Sequence, residues 1–172
     1  MLALAPHPEG GFFREVFRSA ERVQPTDGRA TRSALTTIFF LLAEGQASRW
    51  HAVASDEVWH LYEGGPLELL VAPPDVGRVE RAILGRPGDG ALPTYTVAAR
   101  CWQAARPLGA YVLTGCSVGP GFEFADFRMS SDGIGTTVTV RSATKSPANR
   151  SIAIATIFFA LRSASCLASS ST

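Results

Sequence analysis

Glycine and proline cut this sequence into pieces too short for ordinary helices. The chain has 16 Gly and 11 Pro in 172 residues, and turn signals interrupt each apolar run before it completes three helical turns. Between the turns lie roughly ten short segments rich in β-branched and aromatic residues. The expected strands are 11–19, 34–43, 50–53, 57–63, 67–72, 78–84, 95–99, 103–106, 111–118 and 122–129. Residues 20–33 are polar, with Pro25 and the pair Asp27-Gly28, and read as a loop. Segment 34–43 is almost wholly apolar and is expected to be buried on both faces. Short strands at regular spacing predict an all-β barrel or sandwich.

A chain of 172 residues is most economically one domain, and 46% apolar with 18% charged residues places it among globular proteins. The net charge of +1 offers no basic excess for nucleic acid. The longest apolar run, 152–161, falls short of the roughly 18 residues of a membrane span, so no membrane partner is expected. The N-terminus, MLALAPHPEGG, has neither the basic region nor the long apolar region of a secretory signal. Cys101, Cys116 and Cys166 are odd in number and lack CxxC spacing, which fits reduced thiols in a cytoplasmic protein. Beyond residue 129 the composition turns to Ser, Thr and Ala, with no acidic residue after Asp132. Residues 130–172 are therefore expected to form a poorly ordered tail outside a core domain at 4–129.

The chemistry concentrates between Gly45 and Gly65, where His51, Glu57 and His60 stand among Trp50, Trp59 and Tyr62. Strand alternation places Glu57 and Trp59 on one face and His60 on the other. An apolar cavity raises the pKa of Glu57 and equips it, with His51, to exchange a proton with a bound ligand. Trp59, Trp102 and Gln103 are candidates to stack on and hydrogen-bond that ligand, with plain core packing as the alternative for Trp102 and Gln103. Arg14 is a further candidate, able to fork onto a carboxylate or phosphate, with a structural salt bridge as its alternative. His7, between two prolines, is expected to be exposed or structural. In 122–127, FEFADF, Phe122 and Phe124 should point inward and Glu123 outward, with Asp126 paired to Arg14 or Arg128.

The spacing Gly45, His51, Val53, Glu57, Gly64 resembles the first cupin motif, G-x5-H-x-H-x3-E-x6-G, with Val53 at the second histidine. Against the second motif, G-x5-P-x-G-x2-H-x3-N, Ala98 stands at the proline, Arg100 at the glycine, Gln103 at the histidine and Pro107 at the asparagine. PHPEGGFFREVFRS, TTIFFLL, SDEVWHLYEGGPLELL and CWQAARPLGAYVLTGCSVGPGFEFADF occur in the order of the small cupin family called cupin 5 or DUF985, which the chain resembles over about three quarters of its length. The resemblance implies a double-stranded β-helix, or jelly-roll barrel, and a homodimer, for which the strand carrying Phe12, Phe13 and Phe17 is the candidate seam. It implies a small polar metabolite as ligand, bound in the barrel, and as alternative a sugar or sugar-nucleotide isomerase or epimerase using His51 and Glu57. A divalent metal would have His51, Glu57 and the Gln103 amide oxygen, a poor set with one imidazole, so tight binding is not expected. Arg100 at the glycine position is expected to alter the turn and to shift Gln103 from the pocket.

Overall fold

In the computed structural model residues 2–131 are described. The expected tail at 130–172, with Cys166 in it, therefore lies almost wholly outside the described residues. Thirteen strands run in chain order: β1 (Ala5–Pro6), β2 (Phe12–Arg18), β3 (Arg22–Val23), β4 (Arg32–Ser33), β5 (Thr36–Ala43), β6 (Ser48–Val53), β7 (Asp56–Gly64), β8 (Leu67–Ala72), β9 (Glu80–Leu84), β10 (Thr94–Val97), β11 (Trp102–Pro107), β12 (Tyr111–Gly119) and β13 (Phe127–Met129). A six-stranded sheet has the order β1-β2-β5-β12-β7-β10, and a five-stranded sheet the order β13-β6-β11-β8-β9. The named strand pairs are antiparallel, as in β5 with β12 and β8 with β11. The chain is an all-β jelly-roll barrel.

Alternation sorts the side chains into two clusters. The barrel interior takes Phe40 and Leu42 from β5, Trp59 from β7, Leu67, Leu69 and Val71 from β8, Ala105 from β11, and Val112 and Cys116 from β12. The intervening residues of the five-stranded sheet, Trp50, Leu70, Ala72 and Ala104, pack with Val79 and Trp102 on its other side. A fully buried aliphatic side chain contributes about 1.5–3 kcal/mol, so two clusters explain why even one of the outward-turned faces of β8 is apolar.

Three expectations change. Strand β5 is buried on one face only: Phe40 and Leu42 are buried, while Phe39 is half-buried under Tyr62 and the Arg14 guanidinium. Residues 20–33 contain a two-stranded ribbon, β3 with β4. Segment 122–129 is not one strand, because a one-turn 3-10 helix at Phe124–Asp126 interrupts it. That turn carries Asp126 to Arg29 and Arg32 instead of Arg14 or Arg128, and Arg128 lies over the Trp102 ring.

Candidate functional site

The site begins with a glycine pair. Gly10 and Gly11 have φ of 111° and 67°, a region that favours glycine. A Cβ on Gly10 would stand 2.5 Å from the Ala47 carbonyl oxygen, and one on Gly11 2.6 Å from that of Leu41. Without side chains there, the segment before β2 lies flat on β5 and the start of β6, held by Arg49 N–H donating to the Glu9 carbonyl at 2.8 Å. This strap delivers His7 and Glu9 into the barrel, where they line a cavity with His51, Glu57 and Cys116.

The inner end of the cavity is buried and polar. Glu9, His51 and Glu57 are each under 7% exposed (5%, 2% and 6%). Glu9 Oε2 stands 3.4 Å from His51 Nε2 and 3.4 Å from His7 Nδ1. The Ser48 hydroxyl donates to Glu9 Oε1 at 3.0 Å. His51 Nδ1 lies 2.8 Å from the Arg49 carbonyl oxygen. A carbonyl only accepts, so Nδ1 carries the proton and Nε2 presents a bare lone pair inward.

Behind Glu57 sits an ordered pair. The Trp59 indole N–H donates to Gln103 Oε1 at 2.9 Å, and Gln103 Nε2 donates to Glu57 Oε2 at 2.5 Å. Indole is a donor only, which fixes the amide: its oxygen faces Trp59 and its nitrogen faces the carboxyl.

Burial dominates the electrostatics. Desolvation pushes Glu9 up to about 8, against the pull of the Ser48 hydrogen bond. It raises Glu57 as well, opposed by His51 and reinforced by Glu9. It lowers His51, and it takes His7 down to about 4 with help from the His51 charge. The buried Cys116 thiol is raised well above its ordinary value, first by desolvation. Burial thus disfavours the charged form of each of these groups, carboxyl and imidazole alike.

The outer end is aromatic and charged. Phe13, Phe122, Phe124 and Phe127 line it, with the last three mutually edge to face at centroid separations of 5.0–6.3 Å. Arg18 bridges the entrance, donating to Glu15 at 2.9 Å, to Glu123 at 3.0 Å and to the Phe122 carbonyl at 3.2 Å.

Of the residues singled out from sequence, the structure brings His51, Glu57 and Gln103 together, with Trp59 behind them. Trp59 and Gln103 support the wall and do not line the cavity. Arg14 is exposed over the Phe39 ring, and Trp102 packs in the second apolar cluster, so neither reaches the cavity. His60 faces away from Glu57, stacked with Tyr62 at 6.4 Å. His7 is not an exposed residue: its side chain is 6% accessible and lines the cavity. Glu123 points to the entrance beside Phe122 and Phe124, not away from them. Arg100 keeps the turn it was expected to alter, adopting φ of 68° itself and donating its N–H to the Val53 carbonyl at 2.7 Å. Gln103 therefore stays in register opposite His51.

Sequence reasoning passed over Glu9 and Cys116. The signal for Glu9 was a carboxylate directly before a glycine pair, where the backbone must press against a neighbour. The signal for Cys116 was alternation on β12, which places it on the face of Val112, Thr114 and Val118.

Residues 1–130 match the family described as Cupin superfamily (DUF985). A hypothetical protein from Leishmania major shares 34% identity at a TM-score of 0.70, over 75% of this chain and 82% of that one. A structural-genomics protein from Shewanella oneidensis shares 33% identity at a TM-score of 0.68, over 76% and 80%. An oxalate decarboxylase variant from Bacillus subtilis is similar in fold, at 16% identity and a TM-score of 0.54, over 74% of this chain and 30% of that one. No curated protein matches the chain.

Proposed function

This chain belongs to the DUF985 family of the cupin superfamily, and from that premise we propose that it binds a small polar metabolite in its barrel cavity. One observation carries the reading. Glu9, Glu57, His7 and His51 are buried together at the inner end of an aromatic-lined cavity, and among the described residues no guanidinium or ammonium is hydrogen-bonded to Glu9 or Glu57. Burying such groups costs free energy that packing alone does not recover, and perturbed groups gathered in a cleft mark functional sites. The test is a thermal-shift screen with a panel of sugars, hydroxy acids and amines, with Glu57→Gln as control. A ligand that raises the melting temperature of the wild type and not of the variant supports the reading. Ligands that act equally on both place binding elsewhere.

The fold family implies a divalent metal, and the residues present do not fit one. Among the described residues no three His, Cys, Asp or Glu side chains converge to hold an ion. Val53 supplies no second imidazole at the motif position, and the Gln103 oxygen is engaged by Trp59. Protein purified without a histidine tag is expected to carry much less than one equivalent of transition metal by elemental analysis.

A second reading is favoured by the His51 tautomer. An imidazole anchored through Nδ1, with Nε2 bare beside carboxyl groups, has the form of a general base. Nε2 would take a proton from the carbon next to a ligand carbonyl, while protonated Glu57 gives its proton to the carbonyl oxygen. Delivery of the His51 proton to the former carbonyl carbon, with Glu57 regaining a proton from the neighbouring enediol hydroxyl, isomerises a sugar; delivery to the opposite face of the original carbon, with Glu57 regaining its own proton, epimerises it. Among the described residues the only guanidinium lining the cavity is already paired with Glu15 and Glu123, which favours free sugars over sugar nucleotides. Incorporation of solvent deuterium into an added sugar, abolished by His51→Gln, is the expected signature.

The homodimer is proposed on the edge formed by β1 and β2, where Val16 and Phe17 are exposed at 39% and 51%. Phe13, expected on that seam, instead lines the cavity. Sedimentation as a monomer at micromolar concentration would overturn the dimer. Among the described residues no helix is long and apolar enough to cross a membrane.

A further inference from the structure

Resting on the reading that the cavity binds a small molecule, we propose that the ligand carries a primary amine, held as its ammonium between Glu9, Glu57 and His51. The donor and acceptor inventory of the cavity selects this class. His51 Nδ1 is spent on the Arg49 carbonyl, so Nε2 can only accept. Glu9 Oε2 faces the interior 3.4 Å from that nitrogen. His7 Nδ1 accepts from the Glu9 backbone N–H at 3.3 Å. The Gln103 amide N–H that sequence reasoning offered to a ligand is turned onto Glu57.

Cationic donors are already used. Among the described residues Arg18 is the only Lys or Arg lining the cavity, and both ends of its guanidinium are closed by Glu15 and Glu123. The lining thus has four carboxyls and one guanidinium that is itself paired twice. A carboxylate or phosphate entering this space would find no free cation among the described lining residues, whereas an ammonium favours the ionised, accepting form of Glu9 and Glu57. An ammonium brings three N–H donors to a place that offers accepting lone pairs on three different side chains.

The walls agree with the floor. Phe13, Phe122, Phe124 and Phe127 surround the path inward, and an aromatic surround attracts an organic cation while costing nothing to a neutral body behind it. The carboxyls and the phenylalanines come from different elements: Glu9 from the strap, Glu57 from β7, Phe13 from β2, and the other three from the segment ending in β13. The site is assembled by the barrel and is not a local run of acidic sequence.

The test uses full-length protein and three matched sets of probes that differ only in the head group: benzylamine, benzyl alcohol and benzoate; ethanolamine, ethylene glycol and glycolate; glucosamine, glucose and glucuronate. Calorimetry and thermal shift at pH 7 are expected to show, in at least one set, the amine binding tenfold or more tighter than the neutral member, and no binding of the acid. Glu57→Gln and Glu9→Gln are each expected to erase the amine preference with the circular dichroism spectrum unchanged. Two carboxyls are tested separately, so one variant that fails to fold leaves the other to decide. Neutral members binding as tightly as amines, or acids binding better, overturn the amine class while leaving the cavity reading in place. No binding by any member of the three sets or of the wider metabolite panel overturns both.

Discussion

Two sides of this barrel bury a carboxyl, and they treat it in opposite ways. On the outward face of the five-stranded sheet, Glu68 is 4% exposed and accepts from Arg81 Nε and Arg106 Nε, each at 2.5 Å. Burial alone would raise its pKa, and the hydrogen bonds and charges of Arg106 and Arg81 more than reverse that, leaving it below the usual carboxylate range. Inside the barrel, Glu57 is 6% exposed and receives neutral donors, the Gln103 amide and the Cys116 thiol. Its pKa rises, and that of Glu9 rises with it to about 8. Where the fold needs only to cover a carboxylate, it supplies two guanidinium groups. In the cavity the described residues hydrogen-bond no such group to Glu57.

The largest expected effect breaks the compensated side. Replacing both Arg81 and Arg106 with Met leaves Glu68 buried without a cation. Loss of a buried charge's partners costs about 3–5 kcal/mol. The lower end, about 3 kcal/mol, is expected because the two arginine side chains are 30% and 40% exposed. A urea denaturation midpoint within error of wild type would show that Glu68 does not need its cations, and the contrast with Glu57 would collapse.

The next effect sharpens the uncompensated side through pH. Glu9 rises from 4.5 to about 8 on folding, so between those values the folded chain holds a proton that the unfolded chain has released. Stability from this group is full below pH 4.5 and is lost as pH climbs to 8. His7 falls from 6.5 to about 4, so its contribution is full above 6.5 and is lost as pH falls toward 4. The two oppose each other between 4.5 and 6.5. Above 6.5 the Glu9 loss stands unopposed by His7. Over pH 6.5 to 8 about 2 kcal/mol of stability should disappear, at about 1.4 kcal/mol per unit for one proton. Denaturation series at the two pH values check this, and Glu9→Gln should flatten the slope. An unchanged slope in that variant would place the proton elsewhere.

A smaller effect separates function from stability at Glu57. Glu57→Gln puts an isosteric neutral amide where burial disfavours a charged carboxylate, so the melting temperature should stay level or rise, by no more than about 1 kcal/mol in stability. Ligand response should vanish. A substantial loss of stability would mean that Glu57 is ionised and structurally paired in the folded chain, as Glu68 is.

Much of this frame was legible in the sequence because glycine and proline act locally. The strands at 67–72 and 111–118 fall within one residue of β8 and β12, and the facing of Glu57, Trp59 and His60 follows from alternation alone. His51, Glu57 and Gln103 were found through motif spacing, which survives the loss of the second imidazole. Glu9 and His7 were not found because their place depends on a close approach between chain segments nearly forty residues apart, and no periodicity records that contact. Arg14 and Trp102 were misplaced for a related reason. Chemistry suited to a ligand is visible in sequence, but the side of the sheet on which it falls depends on register, and β2 carries a bulge between Glu15 and Phe17. The 3-10 turn at Phe124–Asp126 hid behind a pattern that alternates like a strand.

Arg100 provides the smallest and most local test, because its turn leads into the strand that aims Gln103 at Glu57. A non-glycine residue in the left-handed region costs about 1 kcal/mol, and Arg100 sits there at φ 68°. Its side chain donates to Asp27 Oδ2 at 2.8 Å, an exposed pair that solvent screens. Arg100→Gly restores the residue of the family motif. It should leave stability higher by about 0.5 kcal/mol, since glycine's larger unfolded-state entropy removes some of the gain. The informative readout is the indole N–H resonance of Trp59, which reports the hydrogen bond to Gln103. If it is unmoved, the turn is set by the backbone bond to Val53 and arginine is merely tolerated there. If it shifts, and the amine preference of the cavity weakens with it, the arginine side chain holds Gln103 against Glu57, and the neutral partner of the uncompensated carboxyl is positioned from the barrel's outer surface.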